Sequence, residues 1–302
     1  MDAGAIAGTG IALPAAGAGR RRDRRGARPR RRFSWLALVG ALLLLAIAGA
    51  AVAAPLLTRQ DPAAQNGRER LQGPSPAHPF GTDEFGRDVH ARVLYGGRAS
   101  LAGTLAALAL AVALGVPLGL LAGFAGGWTD AGLMRGVDVL TAFPPFLLAL
   151  AVAGLYGPGL EKVLLAIAVV WWVDYARVVR AMVLEARTAE HVLAARVLGA
   201  TPLRVAVRAV LPQVLGPVLV LAALDVGALL LAISALSFLG LGAQPPTPEW
   251  GVMLAEGRRS FLEHQHLMLF PGGAIFLAAL AASLLGEGAR DLLDPRGATR
   301  SA

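Results

Sequence analysis

The sequence predicts an all-α integral membrane protein: six transmembrane helices, with a cytoplasmic loop between the fourth and fifth that carries short helices of its own. Three observations lead there. The chain has 302 residues, 56% hydrophobic and only 16% charged, with a mean hydropathy of +0.60, whereas a soluble domain carries roughly 25% charge. The apolar residues gather in runs of about 20, the length a helix needs to cross the hydrocarbon core. The arginines flank those runs, and six crossings put the most basic segments on one side, where the positive-inside rule places the cytoplasm.

The charge balance also excludes other classes. Net charge is +8, nearly all from arginine, with Lys162 the single lysine. These arginines border apolar spans and have no soluble fold to present them, so they read as topological charge rather than a nucleic-acid surface. Cysteine is absent, which removes disulfides, thiol chemistry and cysteine metal sites.

Residues 1–32 hold nine arginines against one aspartate between Arg20 and Arg32. Such a stretch cannot form a core and is expected to be a disordered cytoplasmic tail against anionic headgroups. Residues 33–57 form the first span. Its basic flank and small residues near Ala51 resemble a signal peptide, but the apolar stretch is longer than a signal core, so an uncleaved span is expected. Residues 58–98 form an extracytoplasmic loop, nearly neutral with six arginines and five acids. The span at about 99–124 places Gly115, Gly119 and Gly123 four apart on one face, a seam for close helix packing.

A short turn with Arg135 leads to the third span, about 133–156, which has Asp138 near its inner end. Pro144 and Pro145 lie inside it. Paired prolines remove helix hydrogen bonds and kink the span, and the freed carbonyls must face protein or a water-lined cavity. The fourth span, about 160–175, merges into the basic loop 176–213. The fifth, about 214–239, contains Asp225, and the sixth runs from about 267 to 285. A second outer loop, 240–266, opens with prolines that forbid a regular helix. Residues 297–302 are a short tail, with Arg290 and Asp294 before it read as structural.

The loop 176–213 organises the rest. From Val178 to Leu198 there is no glycine or proline, and helix formers dominate. Gly199 is placed to cap that helix. Thr201 caps a second one with Pro202 at its first position. Arg204 and Arg208 mark one side of this short piece, and Leu211-Pro212 opens the next span. Two short helices at an angle suit a groove on a soluble partner.

Within this loop, AARVLGATPLRVAVRAVLP resembles the EAA loop of ABC importer permeases. Ala194, Ala195, Gly199, Leu211 and Pro212 match in identity and spacing, and Arg196 and Ala200 lie among them. Leu193 and Ala209 stand where the family carries an acid and an isoleucine. Four further stretches narrow the resemblance to the C-type permeases of dipeptide and oligopeptide (nickel) importers: His78–Leu101, Gly119–Pro145, Leu236–Gly257 and Gly286–Arg296. It covers about residues 78–296, and residues 99–296 are the expected permease core.

The resemblance implies a permease subunit that forms a translocation pathway with a second permease in the bacterial plasma (inner) membrane, both termini cytoplasmic. Two ATP-binding subunits dock on the elbow, and an extracytoplasmic binding protein delivers peptides or similar solutes. ATP and Mg belong to the partners, since this chain has no phosphate-binding G-x-x-x-x-G-K-[ST] loop. It implies no enzyme activity and no cofactor on this chain.

Asp225 is a candidate pathway residue, because an acid inside a membrane is costly; a carboxylate bonded across helices is the alternative. Pro144 and Pro145 are pathway candidates through the freed carbonyls. Asp83, Arg87 and Asp88 are candidate contacts for the binding protein, or charges that order the loop. His78, His90, His264 and His266 lack metal-site spacing and read as surface histidines. Rival readings are a stand-alone secondary transporter, which would carry inverted repeats, and a membrane scaffold.

Overall fold

The computed structural model describes residues 35–293. The tail 1–32, the first two residues of the predicted first span and residues 294–302 lie outside them. The regular elements among the described residues are all helices, with one isolated bridge between Thr82 and Asp88 in the first long loop. In chain order α1 is Trp35–Val52, followed by the single turn α2, Ala54–Leu57. Then come α3 (Val89–Ala125), α4 (Gly127–Thr141), α5 (Pro145–Tyr156) and α6 (Leu160–Ala186). The elbow holds α7 (Glu190–Val197) and α8 (Pro202–Val205), and a π-turn, Ala206–Val210, joins α8 to α9 (Leu211–Phe238). The chain continues through α10 (Trp250–Gly257) to α11 (His266–Leu293).

Several boundaries differ from the sequence expectation. The second span starts at Val89, ten residues before the apolar run, because the Asp88 side chain caps the helix by accepting the Ala91 N–H at 2.6 Å. At 37 residues α3 is roughly 55 Å long, well beyond the hydrocarbon thickness. The third span is broken rather than kinked: α4 and α5 meet at 89°. Pro144, its φ fixed at −58°, is extended (ψ 126°) and starts α5, so the chain leaves helical geometry there. Helix α11 runs on to Leu293, past the predicted end near residue 285.

The expected six crossings are therefore not six straight apolar helices. Among the described residues four helical runs are long and apolar enough to cross a membrane: α1, α3, the run from α8 through α9, and α11; the bent α4–α5 pair makes five if counted as one. Helix α6 has the length, at 27 residues. Glu161, Lys162, Asp174, Arg177 and Arg180 along it dilute its apolar character.

Glycines set how closely the helices approach. Helix α3 lies along α6, and the seam predicted at Gly115, Gly119 and Gly123 is where they meet. A Cβ on these residues would stand 2.5 Å from the Trp172 carbonyl oxygen, 2.6 Å from that of Ala176 and 2.6 Å from the Val183 Cβ. Only a hydrogen in place of the Cβ permits that backbone contact. Helix α11 packs on α9 at Gly286 and on α1 at Gly40 and Gly288 in the same manner. The main core unites α3, α5, α6, α9 and the elbow, with Val192 and Val205 buried in it. A smaller core joins α3, α9, α10 and α11 around Trp250.

Candidate functional site

The elbow has the predicted caps. Gly199, at φ +82°, sits in the left-handed region after α7. Its N–H donates to the Arg196 carbonyl, and the Ala200 N–H donates to that of Ala195, both at 3.0 Å. This double bond pattern closes the helix end and favours glycine at that position. Thr201 Oγ1 accepts the Arg204 N–H, and Pro202 takes the first helical position. The single helix expected over 178–198 is two. Helix α6 ends at Ala186, and the Thr188 hydroxyl donates to the Glu185 carbonyl at 2.8 Å, competing with the backbone ladder. Leu211 and Pro212 open α9, which is continuous with the preceding turns. They continue the run from Pro202, and the π-turn, closed by the Leu211 N–H on the Ala206 carbonyl, accommodates the N–H that Pro212 lacks.

Packing gives the elbow two faces. Val192 and Val205, 0% and 1% exposed, anchor α7 and α8 in the core, while Val197, Leu198 and Leu203 are 87%, 87% and 74% exposed. Ala194, Arg196 and Gly199 are also exposed; Ala195 and Ala200 are half-buried. Two helices held from behind thus present an apolar ridge outward.

Near the middle of α6, Tyr175 is fully buried and its hydroxyl donates to Asp225 Oδ2 at 2.6 Å. The carboxylate is half-buried on α9, with Asp174 exposed beside Tyr175. Asp225 thus has a bond across helices. Pro144 and Pro145 lie exposed at the break between α4 and α5 and do not approach Asp225 through any bonded contact.

The side opposite the elbow carries a buried polar network. Asp83 Oδ1 accepts the backbone N–H groups of Phe85 and Arg87, and its Oδ2 accepts Arg87 Nε at 2.6 Å. Arg87 and Arg92 both donate to Glu256 Oε2, at 3.0 and 2.8 Å. Two carboxylates face two guanidiniums, the pairing that buried charge requires. Asp88 bonds His78 Nδ1 at 2.8 Å in addition to capping α3. Asp83, Arg87 and Asp88 are 7%, 1% and 4% exposed. Their side chains are thus turned into the loop, which their bonds order, the alternative given for them above.

Arg92 and Glu256 of this network, and the separate buried acid Glu249, are not singled out by the sequence. Glu249, fully buried, caps α10 by accepting the Gly251 and Val252 N–H groups, each at 3.0 Å, and also accepts the Ser100 hydroxyl at 2.9 Å. An acid directly before Trp-Gly in a proline-rich stretch was the available signal, since Asp and Glu favour helix starts. Among the described residues no group of three or more His, Asp or Glu side chains is placed to hold a metal ion.

The family described as binding-protein-dependent transport system inner membrane component matches residues 115–298, more than half of the chain. The chain belongs to that family. It is a membrane component of a transport system, not an enzyme. It is similar to the dipeptide transport system permease protein of Alkalihalophilus pseudofirmus, at 42% identity over 86% of each chain. A putative peptide transport system permease protein of Brucella suis is 43% identical over 85% of this chain and 87% of its own. The glutathione transport system permease protein of Shigella flexneri is 46% identical over 74% of each. The family match takes in the α3–α6 seam, the broken α4–α5 pair, the elbow and Asp225. The longer alignments cover enough of the chain to include most of the outer loop as well.

Proposed function

We propose that this chain is one permease subunit of an ABC importer for peptides or similar small solutes. It works with a second permease, two ATP-binding subunits that use ATP and Mg, and an extracytoplasmic solute-binding protein. The crossings are α1, α3, the bent α4–α5 pair, α6, α9 and α11. That count puts the elbow and both termini on the cytoplasmic side of the bacterial inner membrane, and the loops 58–88 and 239–265 outside. The substrate class is the one in the names of the relatives.

The observation that carries the reading is the exposed apolar ridge of Val197, Leu198 and Leu203 on two helices anchored from behind by Val192 and Val205. A surface so placed transmits a partner's movement into the bundle, because the anchors share the core of α3, α6 and α9. In this role the protein is a two-state bundle, biased by ATP at the elbow and by the loaded binding protein at the outer loops. Asp225 stands in the pathway as an acceptor for a cationic group of the solute. The test is co-purification with ATP-binding subunits, followed by binding-protein-dependent ATPase assays in nanodiscs over a panel of di- and oligopeptides. Stimulation by a peptide-loaded binding protein is expected. Failure of any ATPase subunit to co-purify would overturn the proposal.

A further inference from the structure

A cavity of about 300 Å³ opens between α1, α3 and α11 at the end of the bundle that carries the loop 58–88. Ala51, Phe80, Val93, Trp250, Phe270 and Gly273 are among its walls, and its whole lining is apolar apart from the indole of Trp250. The indole N–H is already spent on the Val93 carbonyl at 2.8 Å. Phe80 stacks on Phe270, ring centroids 3.9 Å apart, and so joins the loop to α11 at this wall. A Cβ built on Gly273 meets nothing within 4 Å, so that side of α11 faces open space.

Water is a poor occupant, because a buried water needs two to four polar partners and apolar cavities stay dry. The crossings proposed above, on which the inference rests, place α1, α3 and α11 in hydrocarbon; their length and apolar composition suit them to it. Along α11 the cavity runs from Leu269 to Leu277, roughly 12 Å at the rise of a helix and within half the hydrocarbon thickness. We infer that this cavity is a binding site for one acyl chain of a phospholipid from the leaflet on the loop side. The chain would lie between α1 and α11 and against Trp250, the centre of the smaller core. Lipid composition would thereby reach α10, whose N-terminus holds the buried Glu249.

Trp250 supplies the probe. The full chain, with Trp35, Trp128, Trp171 and Trp172 changed to Phe, is placed in nanodiscs of phosphatidylcholine with brominated acyl chains. Loss of Trp250 emission relative to unbrominated lipid is expected. Gly273→Phe, which fills the cavity from α11, should restore the emission. Ala50→Leu fills it from α1 and should do the same, so a poorly inserting Gly273→Phe protein leaves the test intact. Unchanged Trp250 emission in brominated lipid would overturn the inference, and so would equal quenching in a filled variant that inserts. Neither outcome bears on ATPase coupling, which the elbow tests separately.

Discussion

Replacing Val197 and Leu198 together by serine separates a docking surface from a folding element. Both side chains are 87% exposed, so the substitution removes almost no internal contact. The stability of the chain alone should move by no more than about 0.5 kcal/mol, as for surface changes away from special features. Docked against a partner groove, each aliphatic side chain would lose most of its exposed area, a stabilisation of roughly 1.5–3 kcal/mol apiece. The pair then contributes about 3–6 kcal/mol to docking, and at about 1.4 kcal/mol per decade its loss weakens the complex by roughly a hundredfold to ten-thousandfold. The assay has two arms. Thermal unfolding of the purified chain measures the first quantity. Titration of the ATP-binding subunit onto nanodisc-held chain, read by biolayer interferometry, measures the second. An unchanged Kd would refute docking through this ridge. A large fall in Tm of the isolated chain would refute the premise that the ridge is unpartnered within it.

Four other substitutions probe distinct parts of the molecule. Gly119→Leu sets a Cβ 2.6 Å from the Ala176 carbonyl oxygen and 2.8 Å from the Val179 Cβ, and a loss of about 1–3 kcal/mol or more is expected in thermal unfolding. Gly199→Trp meets no steric obstacle, since a Cβ there has nothing within 4 Å; its cost is the left-handed backbone, about 1–2 kcal/mol, and it should abolish transport while the chain still inserts. Arg180→Gln breaks the bidentate pair with Asp130 on α4. Stability should change by less than about 1 kcal/mol because the pair is partly exposed, while solute moved per ATP falls and is restored in the Arg180→Asp, Asp130→Arg exchange. Glu249→Gln puts an amide group where one carboxylate oxygen accepts a backbone N–H; about 1–3 kcal/mol should be lost, seen as faster proteolysis of the loop that contains α10.

The sequence showed the membrane class and the elbow because both are written locally. Apolar runs need only length, and the caps at Gly199 and Thr201–Pro202 need only neighbours within a few residues. The seam at Gly115, Gly119 and Gly123 was legible for the same reason: a spacing of four defines one helix face without knowledge of the partner. The outer network was not, because Arg87 and Arg92 meet Glu256 across 169 and 164 residues of chain. Asp83, Arg87 and Asp88 stand out as charges in a loop, and nothing local distinguishes a charge facing solvent from one paired inside. The break at Pro144 was read as a kink, since a proline shows that hydrogen bonds are lost but not whether the chain resumes its direction. The early start of α3 at Asp88 was masked by its first turns, which are too polar to belong to the apolar run.

One arrangement connects the elbow to the helix break, and it rests on arginines that composition alone assigns to topology. Arg177, Arg180 and Arg187 fall within one face of α6, three and seven residues apart. Arg187 donates to the Gly123 carbonyl near the end of α3 at 3.2 Å, Arg180 holds Asp130 of α4, and Arg177 donates to Thr141 Oγ1 at 3.1 Å. Helix α4 is thus fastened to α6 near both of its ends, and α6 leads through a three-residue turn to α7. Helix α5 lies beyond the 89° bend and packs on α6 through apolar side chains instead. A displacement of the elbow that shifts the end of α6 would therefore tend to carry α4 with it, through directional bonds that resist sliding. The same displacement lets α5 slip, because dispersion contacts among aliphatic groups have no preferred direction. The relative motion then concentrates at residues 142–144, where no side chain from α6 makes a hydrogen bond. That is the property a hinge needs, and a hinge at the paired prolines is the expectation that follows from this bonding pattern.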